Sequence, residues 1–434
     1  MSHENTVFCH SQYQITAQAP SIVSNTHIYL YLYFCVCVCV CVCARVCMHA
    51  GVLSGHKVRC PWHGACFNVH TGDLEEYPGM DCLPCHRVKI QNNKVYVSYM
   101  NQKNMAKRIK SMSARVPGLN HTILLLGGGA ASLICAETLR QENYGGRIIM
   151  VTRDELLPYD KTRLSKLSAL SLTITFDDGS VQSYDQLLIS TGCRAKGLDM
   201  PGMELGNVKM LETPEDMLEG KKVKFYMNDN VTEVRGANGK VKEVVLKSGI
   251  VIPAEVLIVG IGKCNTETAI ISHFKGKHMF FSDFLLHGFI CYMRTNVPGV
   301  FCGGDLASFP LVMAKKQRVS IGHWQMAQAH GRIAALNMLD RPTELNSVPF
   351  YWTVLLGKTI RYAGYGEGYT ELVLKGKLED LKFLALYIKD DEVIAAASLD
   401  YDPAVSAVAE RFAAGKVITK KEAQYRVHNW LLFR

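Results

Sequence analysis

The sequence predicts a multidomain α/β chain with a small all-β domain, an open parallel sheet wound with helices, and an α+β domain near the C-terminal end. Three observations predict it. Thr122–Leu126 is an apolar, β-favouring run that enters Gly127, Gly128 and Gly129, then an Ala-rich segment with Leu133, Ala136 and Leu139 at helical spacing. Upstream, Cys60, His63, Cys66, Cys82, Cys85 and His86 crowd a region of short runs and turns. Downstream of Pro349, the runs Ile360–Tyr365, Glu371–Leu374, Leu381–Ile388 and Glu392–Ser398 read as strands, followed by a helical stretch near Val405–Ala414.

Composition narrows the classes. With 434 residues, 48% hydrophobic and 20% charged, the chain has room for two or three domains with full cores. A formal charge of +9 is modest at this length, and Lys and Arg are scattered apart from a cluster at Lys103–Lys110, so a nucleic-acid partner is not expected. Of sixteen cysteines, six lie in Cys35–Cys47 and four are Cys60, Cys66, Cys82 and Cys85; the rest are isolated, which reads as reduced thiols in an intracellular protein.

Taken in order, residues 1–50 stand apart. Ile28–Cys43 (IYLYLYFCVCVCVCVC) is uncharged and ends at Arg45. It falls a little short of the ~17–25 residues of a membrane span. Strict Cys-Val alternation is also what a translated TG dinucleotide repeat would encode, and that reading, read-through of non-coding sequence, is preferred to a membrane anchor. No Arg-rich amphipathic transit pattern is present.

Residues 51–99 form the small β domain. Cys60-Pro-Trp-His63 sets a thiolate and an imidazole on one tight loop where both can reach a metal; Thr71-Gly-Asp73 and Pro78-Gly79 are turns, and Arg87–Ile90 and Lys94–Ser98 are strands. The CPWHG segment with its β-rich tail resembles the second ligand half of a Rieske [2Fe–2S] domain. The resemblance implies Cys60 and His63 as ligands, with Cys47 and His49 as the first Cys-x-His, although only ten residues separate His49 from Cys60. A Cys₃His zinc site from Cys60, His63, Cys82 and Cys85 is the alternative. Residues 100–119 are polar and basic and read as a linker.

The glycine turn begins a Rossmann-like domain over 120–210 and 263–340. Glycines let a backbone approach a pyrophosphate, and a helix N-terminus offers N–H groups and positive dipole to it. The spacing is Gly127-x-Gly129-x-x-Ser132, and Arg147–Thr152 follows as a second strand; a purely structural glycine turn is the alternative. At that second strand's end, where an acidic residue often binds the adenosine ribose, Arg153 stands with Asp154 just beyond.

Leu157–Lys166 (LPYDKTRLSK) resembles a segment of flavoprotein reductases of the ferredoxin-reductase and apoptosis-inducing-factor type. The resemblance implies FAD, with Lys161 in its site and Lys166 at the flavin edge, where a cation stabilises charge on the reduced ring. Asp185–Gly192 (DQLLISTG) supplies Thr191 and Gly192, and Gly299–Asp305 (GVFCGGD) supplies Gly304 and Asp305, whose carboxylate the family places on the ribityl chain. His323 and Trp324 open a helix whose N-terminus the family turns to the flavin pyrimidine. Trp352, in the C-terminal domain over 341–434, occupies the segment from which an aromatic stacks on the flavin; core packing is the alternative.

The family also carries a second glycine turn for NAD(P)H, and here it is missing. A βαβ unit needs ~30 residues, yet no Gly-x-Gly-x-x-Gly lies between Pro201 and Gly260, so 211–262 reads as a truncated NAD domain. Only its tail is expected, a hairpin over Val231–Lys247 about Asn238-Gly239 and a strand at Val256–Gly262. A second gap follows Lys166, and with the NAD turn goes the acidic residue that faces this lysine in the family. The expected activity is an NAD(P)H-dependent FAD oxidoreductase with a [2Fe–2S] domain, impaired in this chain. A non-catalytic FAD- or partner-binding protein of cell-death signalling is the alternative, and a zinc adaptor a third. The electron acceptor is not readable, a homodimer is left open, and the family leans to mitochondria.

Overall fold

The computed structural model describes residues 5–9, 14–17, 51–79, 81–83, 87–91, 94–98, 110–152, 185–195, 202, 204–205, 208–210, 229–254, 257–259, 263–265, 292–295, 298–355 and 357–425. Cys47, His49, Cys85, Asp154, Lys161, Lys166, the Ile28–Cys43 run and the segment 211–228 lie outside them.

The N-terminal β unit holds two sheets. Strands β1 (Asn5–Cys9) and β2 (Gln14–Ala17) join the later hairpin β7 (Arg87–Gln91) and β8 (Lys94–Ser98) in the order β2-β1-β8-β7. Between them in sequence, β3 (Val52–Ser54), β4 (Lys57–Arg59), β5 (Cys66–Asn68) and β6 (Leu74–Glu76) form an antiparallel meander. The β5–β6 turn is set by Asn68, whose Oδ1 accepts the backbone N–H groups of His70 and Thr71 while Gly72 takes a positive φ of 72°.

The central sheet is parallel, in the order β10-β9-β11-β19, from β9 (Thr122–Leu126), β10 (Arg147–Val151), β11 (Gln186–Ile189) and β19 (Val300–Cys302). Its inner strands β9 and β11 are apolar apart from Thr122 and Gln186 and largely buried, while Arg147 and Val151 of the edge strand β10 are exposed. Ile123, Leu125 and Leu188 face the two helices α1 (Ala130–Gln141) and α2 (Trp324–Met338), and Leu124, Leu187 and Ile189 form a second cluster with Val300 and Leu306. Strand order reverses at β9, whose chain leaves for β10 on one side while β11 lies on the other. In open α/β sheets the crevice beyond the carboxyl ends at that point is where ligands bind.

Small sheets fill the middle of the chain: β12 (Cys193–Ala195) with β18 (Lys263–Asn265), β13 (Val208–Met210) in parallel with β17 (Leu257–Val259), and β14 (Val231–Ala237), β15 (Lys240–Leu246) and β16 (Val251–Pro253) antiparallel. The β14–β15 turn is the expected one, with Asn238 and Gly239 at φ 53° and 73°. The short pair β20 (Phe309–Leu311) and β21 (Gln317–Val319) precedes α2.

The C-terminal unit is one antiparallel sheet, β22-β23-β26-β25-β24, made of β22 (Phe350–Leu355), β23 (Lys358–Gly364), β24 (Glu371–Lys377), β25 (Lys382–Lys389) and β26 (Glu392–Leu399), with α3 (Ala404–Ala413) and the short α4 (Lys420–Tyr425). Strand β22 and α4 were not among the expected elements. The edge strand β22 begins with an aromatic triplet that does not alternate, since Phe350 is buried while Tyr351 and Trp352 are both half-buried.

Helix α2 is the hub. Twelve of its fifteen residues are buried, so its polar side chains must bond outward. Three of them do so from their amides: Gln325 Nε2 donates to Val348 O, Gln328 Nε2 to Gly79 O, and Asn337 Nδ2 to Thr343 O. The β unit is therefore not a bead on a linker. Val58, Cys60, Phe67, Tyr77 and Leu83 share one apolar cluster with Ile134, Phe309, Met326 and Ile333. Burial and the nearby Asp81 push the Glu137 carboxyl up to about 7 on the α1 side of this junction. Among the described residues, no helix is long and apolar enough to cross a membrane.

Candidate functional site

The glycine turn sits at the carboxyl end of β9, at the point of strand reversal. Gly127 has φ +113°, its N–H donates to Val151 O, and a Cβ there would lie 2.4 Å from Ser190 O. Only glycine fits between the two strand ends. Gly129 differs: a Cβ on it would meet nothing within 4 Å, and as N-cap of α1 it leaves the first-turn N–H groups without a side-chain cap. Uncapped donors above open space at a helix start are an anion cradle. Ser132 is not part of that opening. Its side chain is fully buried and its Oγ lies 2.6 Å from Ser190 Oγ, which itself donates to Leu126 O, so the third small residue ties α1 to β11.

The other strand ends close the same crevice. Thr191 is exposed at the end of β11, and Gly192, at φ 74°, has open space in the Cβ direction. Gly304 follows β19 at φ 79°, with its Cβ direction 3.7 Å from Ala131 Cβ, and the half-buried Asp305 comes next. The Gly304 N–H donates to His330 Nδ1 on α2. His330 is fully buried against Phe309, with ring centroids 4.6 Å apart, and among the described residues its Nε2 has no hydrogen-bond partner.

Burial lowers the His330 pKa from 6.5 to about 4. The ring is neutral when folded and gains a proton on unfolding between those pH values, so the stability it contributes is present above pH 6.5 and lost as pH falls through about 4. Urea unfolding at pH 7 and pH 5 is expected to differ by about 2 kcal/mol from this group. In His330→Gln, which keeps an acceptor for Gly304, that part of the pH slope is expected to vanish; an unchanged slope would refute the assignment.

The start of α2 forms the opposite wall. His323 is its N-cap, in extended conformation, and no side-chain cap closes the helix start. The His323 ring lies 4.5 Å from Tyr351 and 5.1 Å from Trp352 between centroids. Burial pushes the Tyr351 hydroxyl up to about 12, so it stays a neutral donor. Trp324 packs against the small residues Ala130, Ala131 and Ala327, where α1 and α2 cross.

Trp352 reaches a third element. Its ring stands edge-on to His63 of the β unit at 5.2 Å. Cys60 and His63 share a tight loop: Cys60 N–H donates to Ala65 O, Gly64 N–H to Cys60 O, and both side chains are buried. These are one thiol and one imidazole, half the donor set a [2Fe–2S] centre of this type needs. Among the described residues, no group of three or more His, Cys, Asp or Glu side chains converges to hold a metal. The cradle at Gly129 and the two uncapped helix starts suit FAD; the described residues alone do not complete a metal centre.

Arg59 and Glu410 were not singled out from the sequence. Arg59 has no exposed surface, and its Nε lies 2.5 Å from Glu410 Oε1 and its Nη2 2.7 Å from Glu76 Oε2. Burial opposes its charge, but the two carboxylates outweigh burial and hold its pKa above the ordinary range. No local signal announces a pair 351 positions apart.

Residues 209–331 match the pyridine nucleotide-disulphide oxidoreductase family and residues 350–426 the reductase C-terminal family. Apoptosis-inducing factor 3 of Homo sapiens is 38% identical over 477 residues, covering 86% of this chain and 77% of that protein. Among solved structures, a ferredoxin reductase from Rhodopseudomonas palustris superposes with a TM-score of 0.60 at 18% identity, over 72% of this chain and 99% of its own. The covalent putidaredoxin reductase–putidaredoxin complex gives 0.61 at 16%, over 72% and 99%. The chain belongs to the apoptosis-inducing factor 3 family and is an FAD-dependent oxidoreductase of the kind that acts on NAD(P)H.

Proposed function

We propose that the protein passes reducing equivalents from FAD toward its own N-terminal β unit, a Rieske-type domain, and that its NAD(P)H input is impaired. The observation that carries this reading is the convergence of two elements on Trp352: His323 at the start of α2 on one side, His63 of the Cys-x-x-His loop on the other. When bound, FAD takes up a hydride as an electron pair and releases electrons singly. The residues serve it from three sides. The Gly127–Gly129 turn and the first N–H groups of α1 hold its pyrophosphate. Gly304 and Asp305 take the ribityl side, and the α2 N-terminus with Tyr351 faces the ring, its dipole favouring negative charge there. Lys161 and Lys166 are assigned to the same site by resemblance, with Asp154 on the ribose side.

The impaired input rests on the sequence. No Gly-x-Gly-x-x-Gly lies between Pro201 and Gly260 to cradle a second dinucleotide. The alignment with the human relative spans 477 positions against 434 in the whole chain, so at least 43 positions of that relative have no counterpart here. Lys166 then also lacks the acidic partner of the family.

The purified chain is expected to bind equimolar FAD while giving no heat with NADH in calorimetry. Tight NADH binding would overturn the impaired-input part. Absence of FAD binding would overturn the whole reading and favour a partner-binding role. For the Rieske-type assignment, which needs Cys47 and His49 beside Cys60 and His63, iron and acid-labile sulfide are the readout. Zinc without sulfide would refute it.

A further inference from the structure

The β unit meets the rest of the chain through the very loop that carries Cys60 and His63, and the contact is built like a core. Arg59 binds Glu410 of α3 and Glu76 of its own unit, and its Nη1 donates to Gly64 O at 2.8 Å, directly after His63. Ser406 Oγ, one turn before Glu410, donates to Cys60 O at 3.2 Å. Gly64 has φ +76°, and a Cβ there would lie 2.4 Å from Phe350 Cγ. Trp62 lies beneath the Arg361 guanidinium, 6.0 Å from ring centroid to carbon, and Arg361 itself is 1% exposed. On the far edge of the contact, Gln328 and Gly79 exchange a reciprocal pair of hydrogen bonds, and Arg332 Nη1 donates to Leu74 O.

A guanidinium without solvent access, between two carboxylates from different units, is costly to expose alone. A β unit that swung between positions would have to strip Glu410 from Arg59 and uncover Phe350 and Trp62 at each excursion. We infer that the β unit is a permanent occupant of the Trp352 face, clamped by Arg59–Glu410, so that this face is closed and its partner is part of the same chain rather than a diffusible carrier. The inference rests on the FAD reading only for the meaning of the face. The seat itself depends on no cofactor.

Two consequences follow from the geometry. His63 is held against Trp352 by groups on both flanks of its loop, Gly64 O through Arg59 and Cys60 O through Ser406, so its ring position is fixed by α3 and not by the β unit alone. Arg59 is thus a positioning residue for the loop. Cys66, whose thiol lies 3.8 Å from Glu410 Oε1, is pushed up by burial and stays protonated, so it neither competes for the clamp nor acts as a nucleophile there.

The test uses the full chain carrying a protease site within residues 101–109. After cleavage, the two pieces of the otherwise native chain are expected to run as one species in size exclusion at ~1 μM, a level at which only sub-micromolar pairs persist. Glu410→Ala is expected to weaken the pairing roughly 30-fold and to give two peaks, because it removes the one carboxylate that reaches Arg59 from the other piece and leaves its buried Nε without that acceptor. Gly64→Ala, which changes no charge, is expected to give two peaks as well by wedging against Phe350. Circular dichroism and thermal unfolding of each variant before cleavage confirm that it is folded. Separation of the native pieces would overturn the permanent seat. Undiminished pairing in Glu410→Ala would overturn the clamp. Neither result bears on FAD titration, which can succeed or fail independently.

Discussion

Gly127→Ala and Gly129→Ala are expected to abolish equimolar FAD binding by opposite routes. At Gly127 the added Cβ would lie 2.4 Å from Ser190 O, 2.8 Å from Ser190 C and 3.2 Å from Thr191 Cα, at a φ of +113°. Those are backbone atoms just beyond β11, which is hydrogen-bonded to β9 and β19, so nothing can yield without breaking the ladder. Left-handed backbone costs an L-residue ~1–2 kcal/mol and overpacking another ~1–3 kcal/mol. The variant is expected to lose roughly 2–5 kcal/mol of stability, with FAD binding lost as a consequence. Gly129, at φ −88° with nothing within 4 Å of its Cβ direction, carries neither strain nor clash. Gly129→Ala is expected to lose no more than about 1 kcal/mol, the disadvantage of alanine against glycine at an N-cap, because the methyl group otherwise fills only the space where the pyrophosphate would sit. Fluorescence titration with FAD and urea unfolding of both variants separate the two effects. If Gly129→Ala binds FAD as the native chain does, the cradle is not at this helix start.

Much of this site was legible in the sequence because its signals are local. A β-favouring run, a glycine turn and an Ala-rich helix within nineteen residues, 122–140, specify one another, and β9 and α1 fall where the pattern places them. Asn238-Gly239 likewise announces its hairpin from two residues. The C-terminal strands β23, β24, β25 and β26 were legible as short β-favouring runs separated by turn residues. What stayed hidden is whatever depends on partners far away in the chain. Arg59 reads as an ordinary strand residue in Lys-Val-Arg, and only the fold sets Glu410 beside it. Ser132 reads as one small residue among several at a helix start, and only Ser190 reveals that it fastens α1 to β11. The aromatic triplet Phe350–Trp352 gives no periodic signal, because each ring answers to a different neighbour: Phe350 to Gly64, Tyr351 to His323, and Trp352 to both His63 and His323.

The same distinction governs Gly331, the last residue of the His323–Gly331 segment, whose packing nothing local announces. It lies in the middle of α2, where glycine costs a helix ~1 kcal/mol relative to alanine, so propensity alone predicts that Gly331→Ala stabilises the protein. The packing predicts the reverse. An added Cβ would lie 2.1 Å from Ala131 O, 2.9 Å from Ala131 C and 3.1 Å from Ala131 Cα, all backbone atoms of α1. The two helices would have to separate, and the seam of Ala130, Ala131, Ala327 and Trp324 would open with them. Net destabilisation of up to about 2 kcal/mol is expected after the propensity gain is subtracted. The effect should reach the ligand site, because α2 carries His330, which accepts the Gly304 N–H, and begins at His323 beside Trp352. FAD affinity is therefore expected to fall although Gly331 touches no part of the crevice. Ala131→Gly in the same chain is expected to give no rescue, since the clash is with the Ala131 carbonyl and that remains. Urea unfolding and FAD titration of the single and double variants decide between the two accounts. A Gly331→Ala chain more stable than the native one would overturn the close approach of α1 and α2.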